Sequence, residues 1–168
     1  IQRSQIEGVK QLTAEVTKEE LNPVATVRTR IAMVDGVPID YQQKEVRQQQ
    51  GQIGREFAVT YRPKLEENET VIAGKWWDET PSKETEVSVV DDMARTLKVG
   101  IGSLITFDVL GRKINATVTS IRKIDVRNTR TVFMFVFRPG TLEIAPQTFA
   151  LPIINKIPAV ERARFQRR

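Results

Sequence analysis

The chain reads as an α+β protein of two lobes, a sheet frame that begins as a βαβ unit and a compact β-rich module inserted into it. Three observations predict this. A capped amphipathic helix at the start is followed by an alternating strand, which makes half of a βαβ unit. A central stretch is dense in short strands joined by turn residues. Beyond it comes Val132-Phe-Met-Phe-Val-Phe137, apolar on both faces, and such a run belongs at the centre of a sheet with cover on each side. The frame is assigned to residues 1–62 plus 125–168 and the inserted lobe to residues 63–124.

The elements follow in order. Ser4-Gln-Ile-Glu7 is a capping box, and Ile6, Val9, Thr13 and Val16 recur behind it at helical spacing, so residues 4–15 form an amphipathic helix. Thr17-Lys-Glu-Glu20 opens a further short turn that Pro23 closes. From Val24 to Val34 the pattern alternates, with Val27, Ile31 and Met33 on one face and Arg28, Arg30 and Ala32 on the other. Asp35-Gly36 supplies a turn, and Val37-Pro-Ile39 resumes at a sheet edge. Residues 40–54 are dominated by glutamine and cannot bury a face; they read as a loop or a polar helix, since no heptad supports a coiled coil.

Phe57–Tyr61 is a strand, and Val71-Ile-Ala-Gly74 restarts apolar structure inside the second lobe. Ser88-Val-Val-Asp91 is a second capping signal, followed by Met93, Ala94 and Leu97 on the buried stripe of a short helix. Leu104–Val109 and Lys113–Ile121 form a hairpin across Leu110-Gly111, with Ile114, Ala116 and Val118 on one face. Pro139-Gly140 stops the apolar run, Phe149–Ile154 gives a last strand, and Pro158 suits the first turn of a final helix.

Composition narrows the chemistry. Of 168 residues 40% are apolar and 28% charged, which suits a folded globular chain, and no apolar run approaches the roughly 18 residues of a membrane span. The chain starts at Ile1 and ends in Phe165-Gln-Arg-Arg168, which fits a piece of a longer protein. Cysteine and histidine are both absent, so thiolate nucleophiles, imidazole bases and the usual zinc ligands are absent too. The net charge of +5 concentrates as arginines in the second half, Arg122, Arg127, Arg130, Arg138, Arg162, Arg164, Arg167 and Arg168. These read as a solvated face or as a patch toward anionic lipid; nucleic-acid binding needs exposed aromatics among them, and Phe133, Phe135 and Phe137 look like core.

Asp78-Glu79 and Asp91-Asp92 are the acidic pairs an acid–base enzyme would use. Adjacent residues on a strand face opposite ways, and negative charge at 91–92 is what a helix start favours, so no catalytic residue is assigned. Gly100-Ile-Gly102 is too short for a phosphate cradle, and no cofactor or metal site is assigned. The candidate contact residues are Trp76 and Trp77. On a strand one ring would face the core and the other a partner, a glycan or a lipid head group; alternatively both rings act as a lid on the small lobe.

Three segments together resemble the FtsX-like or MacB-like ABC-transporter permeases. They are Arg55-Glu-Phe-Ala-Val-Thr-Tyr-Arg62 with Val71-Ile-Ala-Gly-Lys-Trp-Trp77; Glu86-Val-Ser-Val-Val-Asp-Asp-Met-Ala-Arg-Thr-Leu97 with Val99-Gly-Ile-Gly-Ser-Leu-Ile-Thr-Phe-Asp-Val-Leu-Gly111; and Val118-Thr-Ser-Ile-Arg-Lys-Ile-Asp125 leading to Phe133-Met-Phe-Val-Phe-Arg-Pro-Gly140 and Ala145-Pro-Gln-Thr148. The likeness is greatest to the YbbP-type branch. Gly100-Ile-Gly-Ser103, where the family more often has a Gly-Asp pair, and the glutamine-rich stretch depart from its pattern. The resemblance implies a periplasmic domain of an inner-membrane protein, with a porter-like α/β lobe and an inserted sabre-like lobe. It further implies a non-enzymatic part that couples ATP hydrolysis by a cytoplasmic ATPase subunit to substrate export or partner activation through rigid-body motion. The implied partners are that ATPase, the rest of the permease, and a periplasmic protein or lipid-like substrate, with no nucleic acid and no cofactor. A lipid- or glycan-binding module centred on the tryptophans is the alternative.

Overall fold

The computed structural model describes residues 3–17, 23–40, 42, 56–128 and 132–150. The chain divides into two compact units, one drawn from residues 1–24 and 148–168, the other from residues 25–147. In the first, a 3₁₀ turn at Arg3–Gln5 leads into helix α1 (Ile6–Thr17), so the helix begins one turn inside the expected capping box. The turn expected from Thr17 to Glu20, the glutamine-rich stretch beyond Gln42, the residues after Ala150 of the last strand, and the helix from Pro158 lie outside the described residues.

The second unit is built on strands β1 (Val24–Val34), β2 (Val37–Pro38), β3 (Phe57–Tyr61), β4 (Glu69–Gly74), β5 (Glu86–Val90), β6 (Leu104–Val109), β7 (Arg112–Ile124) and β8 (Phe135–Phe137), with helix α2 (Asp91–Leu97) between β5 and β6. A ninth strand, β9 (Thr148–Ala150), belongs to the first unit. Six of the strands close on themselves. Around the ring, β1 pairs antiparallel with β3, β3 parallel with β8, β8 antiparallel with β5, β5 parallel with β7, β7 antiparallel with β6, and β6 antiparallel with β1. The short strand β2 adds to the end of β1, and β4 adds to the far end of β7.

This closure redraws the expected map. Strands β1, β3 and β8 belong to the expected frame lobe, yet β1 pairs directly with β6 and β8 with β5 of the inserted one. The chain therefore divides at 24/25 and 147/148 rather than near residues 62 and 125. The physical reason is non-local. Of the expected run Val132–Phe137, only Phe135–Phe137 is strand and sits mid-sheet, buried on both faces, while Val132 is exposed; its neighbours are β3 from one expected lobe and β5 from the other.

Six strands enclose a space that the side chains of the core fill. Val27 and Ile31 of β1, Val87 and Val89 of β5, and Ala116 and Val118 of β7 point into it. Phe107 lies at its centre, packed edge-on against Phe135 at 5.2 Å and Phe137 at 4.9 Å between ring centroids, a geometry that suits the ring quadrupoles. Met93 and Ala94 of α2 join the same core, and Leu97 packs against it. The cap expected of Ser88 is not made: Ser88 lies within β5 and is buried, and Val90 precedes the helix without a side-chain cap.

Two hairpins use the same turn. Asp35 and Gly36 take φ of 50° and 78°, and Leu110 and Gly111 take 51° and 87°, both residues left-handed as the type I′ turn requires. Three bulges adjust the ladders. One at Ala32 takes Met33 out of line with Ile31, so Met33 is half-buried rather than on the expected core face. One at Ile72 bends β4 over β7. One at Thr119, where Val87 pairs with Val118 but Ser88 with Ser120, switches the two faces of β7. Before it, Ala116 and Val118 enter the core; after it, Ile121 does, while Ser120 and Arg122 share the outer face with Ser88.

Strand β4 ends at Gly74, whose φ is +72° and whose missing Cβ would lie 2.2 Å from the Thr119 carbonyl oxygen. Only glycine fits there. Gly74→Ala is expected to destabilise the chain by about 2–4 kcal/mol in urea unfolding, through a forbidden backbone and a backbone clash together. A loss within about 0.5 kcal/mol, the range of ordinary surface substitutions, would contradict this account of the strand end.

Candidate functional site

Past Gly74 the chain leaves the sheet, so Trp76 and Trp77 are not on a strand and the difference in their exposure does not come from a strand's alternation. Their rings stack on each other, centroids 4.0 Å apart and tilted by 33°. The Trp77 indole N–H donates to the Arg62 carbonyl at 3.0 Å, and the Trp76 indole N–H donates to the Pro63 carbonyl at 2.9 Å. Trp77 is 7% exposed, and Trp76 keeps part of its ring at the surface. The pair thus lies as a lid over the segment that follows β3.

Arg62, whose carbonyl accepts from Trp77, is also part of a cluster of charges centred on the buried Arg122 and Glu69. The Arg122 side chain is fully buried. Its guanidinium donates to Glu69 Oε1 at 3.1 Å, to the Ser88 carbonyl at 2.8 Å and to the Phe133 carbonyl. Burial pushes its pKa down to about 10, against which Glu69 acts to hold the charge, so it is a cation at neutral pH. The other Glu69 oxygen accepts from Arg62 Nη2, and Arg62 Nη1 also faces Glu66 at 3.6 Å. Ser120 donates to Ser88 at 2.7 Å within the same layer. The arginine–glutamate–arginine row joins β3's exit, β4 and β7, with Ser88 of β5 and the approach to β8 tied in through carbonyls.

A second set of contacts fixes the strap from Lys75 to Thr85. Arg138, just past β8, donates to Asp78 Oδ1 at 2.9 Å, to Glu86 Oε2 at 2.5 Å and to the Thr80 carbonyl. Hydrogen bonds from the Thr80 hydroxyl and amide, and then Arg138, hold the Asp78 carboxyl below its usual range. The hydrogen bond to Glu86 is the main cause that raises Arg138. Thr85 and Thr141 hydroxyls meet at 3.1 Å at the end of the strap.

The acidic pairs singled out in the sequence do not converge. Asp78 serves the strap, while Asp91 accepts from the Asp92 amide at 2.9 Å and both face Arg95 in the first turn of α2. Among the described residues no group of three or more acidic side chains is arranged to hold a metal. Gly100 donates to Ser103 Oγ within a tight turn. Of the residues that organise this region, Arg62 and Glu69 have no site reading in the sequence, and Arg122 and Arg138, expected on a solvated or lipid-facing basic surface, have fully and largely buried side chains instead. Arg122 carried one usable signal: it lies at even spacing from Ala116 and Val118, where a surface arginine does not belong.

With this geometry in place, comparison with known proteins gives a class. The chain is related to a domain of the ABC transporter permeases. It is 30% identical over 151 residues to the uncharacterized ABC transporter permease YbbP of Escherichia coli (strain K12). That match takes in 89% of this chain and 17% of the relative, so the chain spans about a sixth of the relative's length. No family model matches the chain. Among the described residues no helix is long and apolar enough to cross a membrane.

The strap has a pH signature. A carboxylate whose folded pKa lies below its unfolded value contributes stability that is present above the unfolded pKa and lost as pH falls through the folded one. Tryptophan emission is therefore expected to stay constant from neutral pH down to about pH 4 and to change only below it, as Asp78 is protonated and releases Thr80 and Arg138. Asp78→Asn should remove that acid step. A step with its midpoint above about pH 5 contradicts the assignment.

Proposed function

We propose that this chain is a periplasmic domain of an inner-membrane ABC transporter permease, close to the FtsX-like and MacB-like kind and to its YbbP-type branch. The observation that carries the reading is the 30% identity to a permease across 89% of the chain. In this reading the domain is not an enzyme. It passes on movement driven by ATP hydrolysis in a cytoplasmic ATPase subunit, and so exports a lipid-like substrate or activates a periplasmic protein.

The architecture supports a part that moves as a body. A closed ring of strands with a filled core and a charge-locked lid has no soft seam along which to deform, and rigid bodies moving against one another are a common way to transmit a switch. The unit from residues 25–147 lies in the chain between the two halves of the other unit. Trp76 is the member of the tryptophan pair that offers surface to a partner.

Topology mapping tests the reading. The chain has no cysteine, and Ile144 is exposed. Ile144→Cys in the full-length protein should react with a membrane-impermeant maleimide in intact cells whose outer membrane has been made leaky. Reaction only after the inner membrane is broken would overturn the periplasmic placement.

A further inference from the structure

The two type I′ hairpins are filled in opposite ways. At the first, Asp35 takes the left-handed position, accepts the Leu104 amide at 2.7 Å and suits the turn. At the second, the same position holds Leu110, at φ 51° and 70% exposed. Leucine gains nothing there by conformation, since its Cβ crowds the backbone, and nothing by burial. The turn is held by other means: the Gly111 amide donates to Asp108 Oδ1 at 2.7 Å, and Lys113 reaches Asp108 Oδ2 at 2.6 Å. A residue doubly unfavoured at a projecting tip points to a role outside the fold.

The surroundings of the tip are mostly basic. Arg112 and Lys113 follow it and are exposed. Arg30 is paired with Asp108 at the end of the β1–β6 ladder, and Arg28 lies two residues before it on β1. Both are exposed. Against these four cations stand Asp108, which Lys113 and Gly111 already engage, and Glu56, 3.8 Å from Arg28. One apolar anchor at the apex of a basic collar matches an anionic bilayer surface, where the side chain enters the interface and the cations lie at head-group level. A protein partner would need far more contact area than one hairpin tip presents.

We propose that the β6–β7 hairpin is a membrane-contact tip, with Leu110 inserted among anionic lipid head groups and Arg28, Arg30, Arg112 and Lys113 facing their phosphates. The proposal stands on the hairpin's own chemistry and goes beyond the permease reading, which survives its failure.

Co-sedimentation of the 168-residue chain tests it, with vesicles of equal parts phosphatidylglycerol and phosphatidylcholine and with vesicles of phosphatidylcholine alone. Binding should favour the anionic vesicles and fall as salt is raised. Leu110→Asn and Arg112→Gln should each weaken it about fivefold or more. Asparagine tolerates the left-handed conformation, so the first variant should melt no lower than the parent. An environment-sensitive fluorophore on Leu110→Cys should shift to the blue with anionic vesicles only. A benzophenone at that site in the full-length protein should cross-link to lipid. Equal binding to both vesicle types, unchanged binding by Leu110→Asn, or cross-links solely to protein would overturn the proposal.

Discussion

The region around the tryptophans depends on a guanidinium placed where water cannot reach it. Arg122 is fully buried beside Glu69, which is itself shared with Arg62. Moving such charges out of water is expensive, and their mutual attraction offsets the loss only when hydrogen bonds satisfy the remaining donors. Here they do: the guanidinium uses a carboxylate and two backbone carbonyls, from β5 and from Phe133. The cluster therefore specifies geometry. Glu69 can meet both arginines only if β4 lies on β7 in one register, and Arg122 can reach it only because the bulge at Thr119 turns it away from the apolar core.

From that constraint the candidate site follows. With β4 held, Gly74 comes against the Thr119 carbonyl, the strand stops, and the tryptophans fold back over the carbonyls of Arg62 and Pro63. The strap beyond them is closed by Arg138, which leaves the barrel beside Glu86. The result is a strand ring sealed on one side by stacked rings and paired charges.

Much of the local structure was legible in the chain. Alternation marked β1, β3 and β6, and the dipeptides Asp35-Gly36 and Leu110-Gly111 marked both hairpins. The ring closure was not legible, because β1 meeting β6, or β3 running parallel to β8, joins residues far apart in sequence with no local trace. The misreadings share one cause, irregularity within strands. Arg122 was counted with the basic surface, and the bulge that makes room for it gives no sequence signal. Ser88 resembled a helix cap because Asp91 stands three residues on, yet its hydroxyl accepts from Ser120. The tryptophans were read with a strand's alternation, which Gly74 had already ended.

The central claim is that Glu69 and Arg122 act as one buried unit that fixes the position of β4 and the tryptophan lid. A double-mutant cycle of Glu69→Gln and Arg122→Met, read by urea unfolding, tests it most directly. Each single change should cost about 3–5 kcal/mol by leaving a buried group without its partner. The double variant should lose less than the sum of the two by about 1–3 kcal/mol. Single losses below about 1 kcal/mol that simply add, as exposed ion pairs give, would contradict it.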